Sequence, residues 1–110
     1  MTLVEYGVVL VTVDTQEAGQ AIAETLVRER LAACVNLFPI HSIYTWEGKI
    51  QRDNEWQLVI KTDLAQFATL EAKLNTIHPY EIPEILALPI EQGSRPYLSW
   101  LAEQVGPSSP

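Results

Sequence analysis

Apolar and polar positions change period several times along the chain, and each change marks an element. Val8 to Val13 is a β-branched run, the pattern of a buried strand. It stops at Asp14-Thr15, either of which can accept a hydrogen bond from a free helix N–H. Strong helix formers follow in QEAGQAIAETLVRERLA, where Ala18, Ile22 and Leu26 repeat every four residues and make one apolar face. Glu17 in the first turn and Arg28 and Arg30 in the last suit the helix dipole. From Cys34 to Trp46 the spacing predicts a strand. Val35, Leu37, Pro39, His41, Ile43 and Thr45 share one face, and Asn36, Phe38, Ile40, Ser42, Tyr44 and Trp46 share the other. Pro39 cannot donate to a ladder, so it implies a bulge, a bend or an edge. Glu47-Gly48 is a turn signal, and Lys49 to Thr62 is a second long strand with Trp56, Leu58 and Ile60 facing inward. Asp63 caps a second helix lined by Phe67, Leu70, Leu74 and Ile77, which His78-Pro79 ends because the residue before proline avoids the helical region. Ile85 to Ile90 is a short strand interrupted by Pro89. Ser94 opens a last helix to about Gln104, with Tyr97, Leu98 and Leu101 as its apolar side.

The order β-α-β-β-α-β plus a C-terminal helix is the split βαβ, or ferredoxin-like, α+β pattern. Right-handed crossovers put both inner helices on one side of a four-stranded sheet and leave the other side uncovered. Residues 1–110 form one domain, with 105–110 expected as a flexible tail. A strand the length of Cys34 to Trp46 spans roughly 43 Å, whereas a domain of this size has a radius of gyration of about 13 Å. The hairpin tip must therefore project, although it carries Ile43, Tyr44, Trp46 and Trp56. A neighbouring subunit can bury these groups and pair with the free backbone. The alternative is a hairpin bent back on its own sheet at Pro39.

Composition narrows the partners. The formal net charge is −7 and the pI about 4.6. Such a surface repels phosphate backbones, so nucleic acid is not expected as a partner. Cys34 is the one cysteine, so no internal disulfide can form, which suits a reducing compartment. MTLVEYG has no basic n-region, and VVLVTV falls far short of a membrane span. A cytoplasmic location with no membrane partner is the expectation.

Candidate chemistry is sparse. A Cys34 thiolate suits Cu(I) or Zn(II), but a lone cysteine more often only packs. His78 and Glu81, three positions apart, can take Cu(II) or Zn(II); otherwise His78 bonds the free carbonyls at a helix end. His41 reads as a packed or surface histidine. No two of these residues have the close spacing of a structural zinc site, and one route round the missing ligands is a site shared between subunits. Lys61 can bind an anionic ligand or pair with Glu81 or Glu84. Tyr44, Trp46 and Trp56 can line an intersubunit pocket or simply pack at an interface. There is no GxSxG, GxxxxGK[ST], GxGxxG or HExxH, and the chain reads as a non-enzyme.

Three stretches carry a resemblance. RLAACVNLFPIHSIYTWEGKIQRDNEWQLVIKT (30–62), HPYEIPEILALPI (78–90) and YLSWL (97–101) together resemble the signature blocks of the CutA divalent-cation tolerance family, in order and in spacing. The resemblance implies a ferredoxin-like protomer in an interlocked, PII-like homotrimer; interlocked hairpins with a large buried interface in turn predict unusual heat resistance. It also implies a role in tolerance of divalent cations, with copper the metal usually named; clefts between subunits are the expected place for such a cation or a small ligand. The extra cysteines of some bacterial relatives are missing, which counts against thiolate-rich copper binding. The alternative is a PII-like signalling or scaffold trimer that binds a small ligand or a protein, with metal incidental.

Overall fold

The computed structural model describes residues 3–106. Eight residues, Tyr6–Val13, make strand β1. Thr15, and not Asp14, is the N-cap of α1 (Gln16–Arg28), its side chain accepting the Ala18 N–H at 3.1 Å. Strand β2 runs Cys34–Trp46 and β3 runs Lys49–Asp63. Between them Glu47 and Gly48 both have positive φ, 51° and 77°, as a two-residue hairpin turn matched to strand twist requires. Asp63 caps a single 3-10 turn, Leu64–Gln66, through Ala65 N–H, and α2 (Phe67–Ile77) continues from it. Strand β4 is Leu86–Pro89 and α3 is Arg95–Gln104.

The sheet order is β2-β3-β1-β4, and every neighbouring pair is antiparallel. This is the ferredoxin-like arrangement: β3 lies between β1 and β2, and β1 between β3 and β4. Pro39 sits in unbroken register opposite Trp56, so its missing N–H is accommodated by the free edge of β2 and not by a bulge or bend.

Period 2 assigns the faces. Val9, Val11 and Val13 of β1 pair with Ile60, Leu58 and Trp56 of β3, and all point toward α1 and α2. With Ile22, Leu26, Leu70 and Leu74 they form the core. Each fully buried leucine or isoleucine there contributes about 1.5–3 kcal/mol. The opposite face carries Val8, Leu10, Phe38, Val59, Leu86 and Leu88 by the same register. It is incompletely covered: Leu86 is 54% exposed, and Phe38 and Leu88 each 46%.

The β2–β3 arm runs past the body. The longest dimension is 49 Å against 27 and 21 Å, and the radius of gyration is 14.8 Å. Ile43 and Ile50 on the arm are 71% and 63% exposed, and Tyr44 and Trp46 are exposed beside them.

Arg30 departs from its expected place in the last turn of α1. That helix ends at Arg28, and Arg30 adopts a left-handed φ of 60°. Its guanidinium donates from Nε to Gly106 O at 2.6 Å and from a terminal nitrogen to Glu103 O at 2.7 Å, and Gly106 N–H donates to Arg30 O at 2.9 Å. The arginine thus satisfies carbonyls at the end of α3, whose Leu101 is fully buried. Of the tail expected at 105–110, Gly106 is therefore held in place, and 107–110 lie outside the described residues.

Candidate functional site

The arm and the segment after α2 enclose a cleft of about 800 Å³. Its floor follows from strand periodicity: Ile40, Ser42, Tyr44 and Trp46 of β2 and Asp53, Glu55 and Gln57 of β3 all face the side away from α1 and α2. Thr12 and Asp14 at the end of β1 close one side. The segment 80–84, short of β4 in sequence, closes another with Tyr80, Glu81, Ile82 and Glu84.

His78 fixes that segment. It is 9% exposed, and its ring makes two backbone contacts. Nε2 lies 2.7 Å from Thr12 O, which can only accept, so Nε2 carries the proton. Nδ1 accepts the Tyr80 N–H at 3.0 Å. Both ring nitrogens are engaged, and neither offers a lone pair to a metal in this arrangement. The ring also packs edge-on against Tyr80, centroid to centroid 4.8 Å.

Two tyrosine–carboxylate pairs line the cleft. Tyr80 donates its O–H to Glu55 Oε2 at 2.6 Å, and Glu55 is only 7% exposed. Burial, helped by the hydrogen bond to Glu55 and its charge, pushes the Tyr80 phenol well above its ordinary value. Tyr44 donates to Asp53, and that hydrogen bond raises the Tyr44 phenol as well. Both phenols stay protonated as donors to these acids. Asp14, Asp53, Glu55, Glu81 and Glu84 make five carboxylates in the lining, with no lysine, arginine or histidine among them.

Of the residues singled out from the sequence, Glu81, Tyr44 and Trp46 meet in this cleft. Trp56 does not: its even position on β3 turns it to the opposite face, where it packs on the core. Cys34, half-buried, pairs with Lys61 at the far end of β3, four residues from Gln57, the partner of Thr12. That is about 13 Å along the strand, so Cys34 does not join His78 or Glu81 within one chain. Lys61 pairs with neither Glu81 nor Glu84; its ammonium donates to Asn36 Oδ1 at 2.5 Å, one strand away. His41 is exposed, its Nδ1 2.6 Å from Asn54 Oδ1. Among the described residues no three His, Cys, Asp or Glu side chains gather closely enough to hold one metal ion. Asp53, Glu55 and Tyr80 are among the cleft residues that the sequence reading missed. The signal was available for two of them, since odd positions on β3 share a face with even positions on β2.

A family model described as "CutA1 divalent ion tolerance protein" matches residues 7–104. The chain belongs to the CutA1 family. The divalent-cation tolerance protein CutA of Thermus thermophilus is 49% identical over 100 residues, covering 90% of this chain and 97% of that protein. The chloroplastic CutA of Arabidopsis thaliana is 50% identical over 95 residues, covering 86% of this chain and 52% of that one. The chain spans about half the length of this plant relative and of the human CutA protein, 46% identical over 94 residues. Among solved structures, CutA1 from Oryza sativa superposes with a TM-score of 0.92 at 44% identity, covering 98% of this chain and all of that one. The Thermus thermophilus protein does so at 0.89 and 48%, covering 92% and 99%. CutA1 proteins are described by cation tolerance and not by a reaction. Among the described residues of this member, no helix is long and apolar enough to cross a membrane.

Proposed function

We propose that this chain serves divalent-cation tolerance by binding a divalent cation, copper the first to test, in the acidic cleft. It does so as a homotrimer in which copies cover one another's open sheet faces. The observation that carries this reading is the lining of the cleft: five carboxylates and no cationic side chain, in a chain of net charge −7. Such a lining holds a negative potential that concentrates cations. Glu81 is the candidate ligand that stands in the cleft. Cys34 can contribute only through a site completed by another copy, and His78 acts as the brace of the 80–84 segment. The exposed Phe38, Leu86 and Leu88 support assembly, since a patch of this kind is costly to leave in water.

Calorimetric titration with Cu²⁺ tests the reading. Stoichiometric binding is expected in the intact protein, weakened at least tenfold by Glu81→Gln. Retention in Cys34→Ala assigns the site to the carboxylates, and loss assigns it to a site shared between copies. Absence of stoichiometric binding in the unsubstituted protein overturns it.

The volume of the cleft favours a second reading beside the first. About 800 Å³ is the size of a small-molecule site, far more than one ion fills. A PII-like signalling trimer would use it for an organic ligand.

A further inference from the structure

Between α2 and β4 the chain has almost no backbone bonding of its own. Residues 79–85 make no backbone–backbone hydrogen bond among the described residues, and Pro79 and Pro83 have no N–H to offer. Strand β4 reaches along β1 only as far as Leu10. Past that point Thr12 O receives the Nε2–H of His78 at 2.7 Å, across 66 positions of sequence. Two further bonds hold the segment. Tyr80 N–H donates to His78 Nδ1 at 3.0 Å, and the Tyr80 O–H donates to Glu55 Oε2 at 2.6 Å.

The first two bonds require one form of the ring. Nε2 must donate, because a carbonyl only accepts, and Nδ1 must accept, because a backbone N–H only donates. A second proton, placed on Nδ1, sets N–H against N–H, and the ring is only 9% exposed, with little water to take either donor. The ring or Tyr80 then has to move. Displacing Tyr80 also takes its phenol from Glu55, so the bonds fail together. Histidine is the side chain that ordinarily gains its charge between pH 5 and 8. We propose that His78 is a pH-operated catch: the neutral ring holds 79–85 against the end of β1, and the protonated ring releases it. The ionisable groups around the catch are Asp14 after β1, Tyr44 on β2, Glu55 on β3, and Tyr80, Glu81 and Glu84 on the segment itself. On the helix that ends at His78, Glu71 is exposed and Lys73 is paired with Glu29 at 2.9 Å. The catch needs no cation in the cleft.

Amide exchange of the intact protein, followed by NMR at about pH 7.5 and about pH 5 and corrected for the unstructured-chain rate at each pH, is the test. Protection of the Tyr80 amide should fall at least tenfold in acid, while the β1 and β3 amides keep theirs. The ¹⁵N signals of the His78 ring should pass from the Nε2–H form to the doubly protonated form over the same interval; His41, the other of the two histidines, is identified by its loss in His41→Asn. In His78→Asn the side-chain oxygen can still accept an N–H two residues on, but it does not titrate. Protection of Tyr80 in that variant should be the same at both pH values. A ring that stays neutral at pH 5, Tyr80 protection that ignores its protonation, or a loss spread evenly over the chain each overturns the proposal. An equal fall in His78→Asn overturns it in favour of the carboxylates. Should that variant not fold, the midpoints of ring protonation and of Tyr80 release in the intact protein decide: they must coincide, and separate midpoints overturn the catch.

Discussion

Tyr80 shows how a single side chain can hold a site open. Its N–H fixes the His78 ring, and its phenol supplies the one hydrogen bond to the buried Glu55 carboxylate among the described residues. Tyr80→Phe keeps the ring but strips that bond, leaving a buried carboxylate with a desolvation penalty of about 1–3 kcal/mol. Urea unfolding should register a loss of this size; an unchanged midpoint would mean that Glu55 finds water instead. The raised phenol gives a second expectation. A group whose proton is held more tightly in the folded state stabilises fully below its unfolded value and loses that contribution as pH rises through the folded one. For Tyr80 the unfolded value is 10.0. Its contribution is therefore complete at neutral pH and disappears only in alkali above that value. Phenolate absorbance followed through pH 10 should be the same in the folded protein and in Tyr80→Phe, because Tyr80 does not ionise there.

At the scale of elements, Arg30 ties the two ends of the fold together. Its left-handed backbone and its three contacts to Glu103 and Gly106 seat the last turn of α3. Arg30→Ala removes the side-chain donors and leaves the strained φ, so amide exchange in the final turn of α3 should accelerate at least tenfold while the core strands stay protected. Uniform acceleration across the chain would show global destabilisation instead. No local pattern announces this contact, because its partners lie 76 and 73 positions away. The elements themselves were legible. Strand β2 has the bounds that alternation and the Glu47-Gly48 turn imply, and α1 starts one residue after its cap. Long periodic segments carry their own period, and edges such as β4, shorter by one residue at each end, depend on neighbours. The cleft was legible only in part. Glu81, Tyr44 and Trp46 stood out by type, whereas Glu55 gains its meaning from a tyrosine 25 positions away. Lys61 found its acceptor across the hairpin, a pairing set by register that composition does not carry.

The whole molecule is an elongated protomer with apolar surface on one sheet face and along an arm. We expect it to sediment at three times the 12.3 kDa chain mass, with the open faces mutually covered. Phe38→Asp/Leu88→Asp places charge on that face without touching the core, and should give single chains. Sedimentation of the double variant at the mass of the unsubstituted protein would move the interface elsewhere. The same assembly should raise thermal resistance, since subunits that bind only the folded state stabilise it by mass action. The intact protein should melt above the 45–65 °C range common for mesophile domains, and the double variant should fall well below its parent.

The two-residue turn between β2 and β3 has a kinetic consequence. It joins thirteen register pairs that are neighbours in sequence, so the arm can zip from its tip at the microsecond pace of hairpins. Pairing of β1 with β3 must wait for a loop of more than forty residues to close. A newly made chain therefore displays its aromatic ribbon before it has a body to carry it. Refolding yield should rise with chaperones and fall with crowding by other unfolded chains, because sister and stranger compete for the same ribbon.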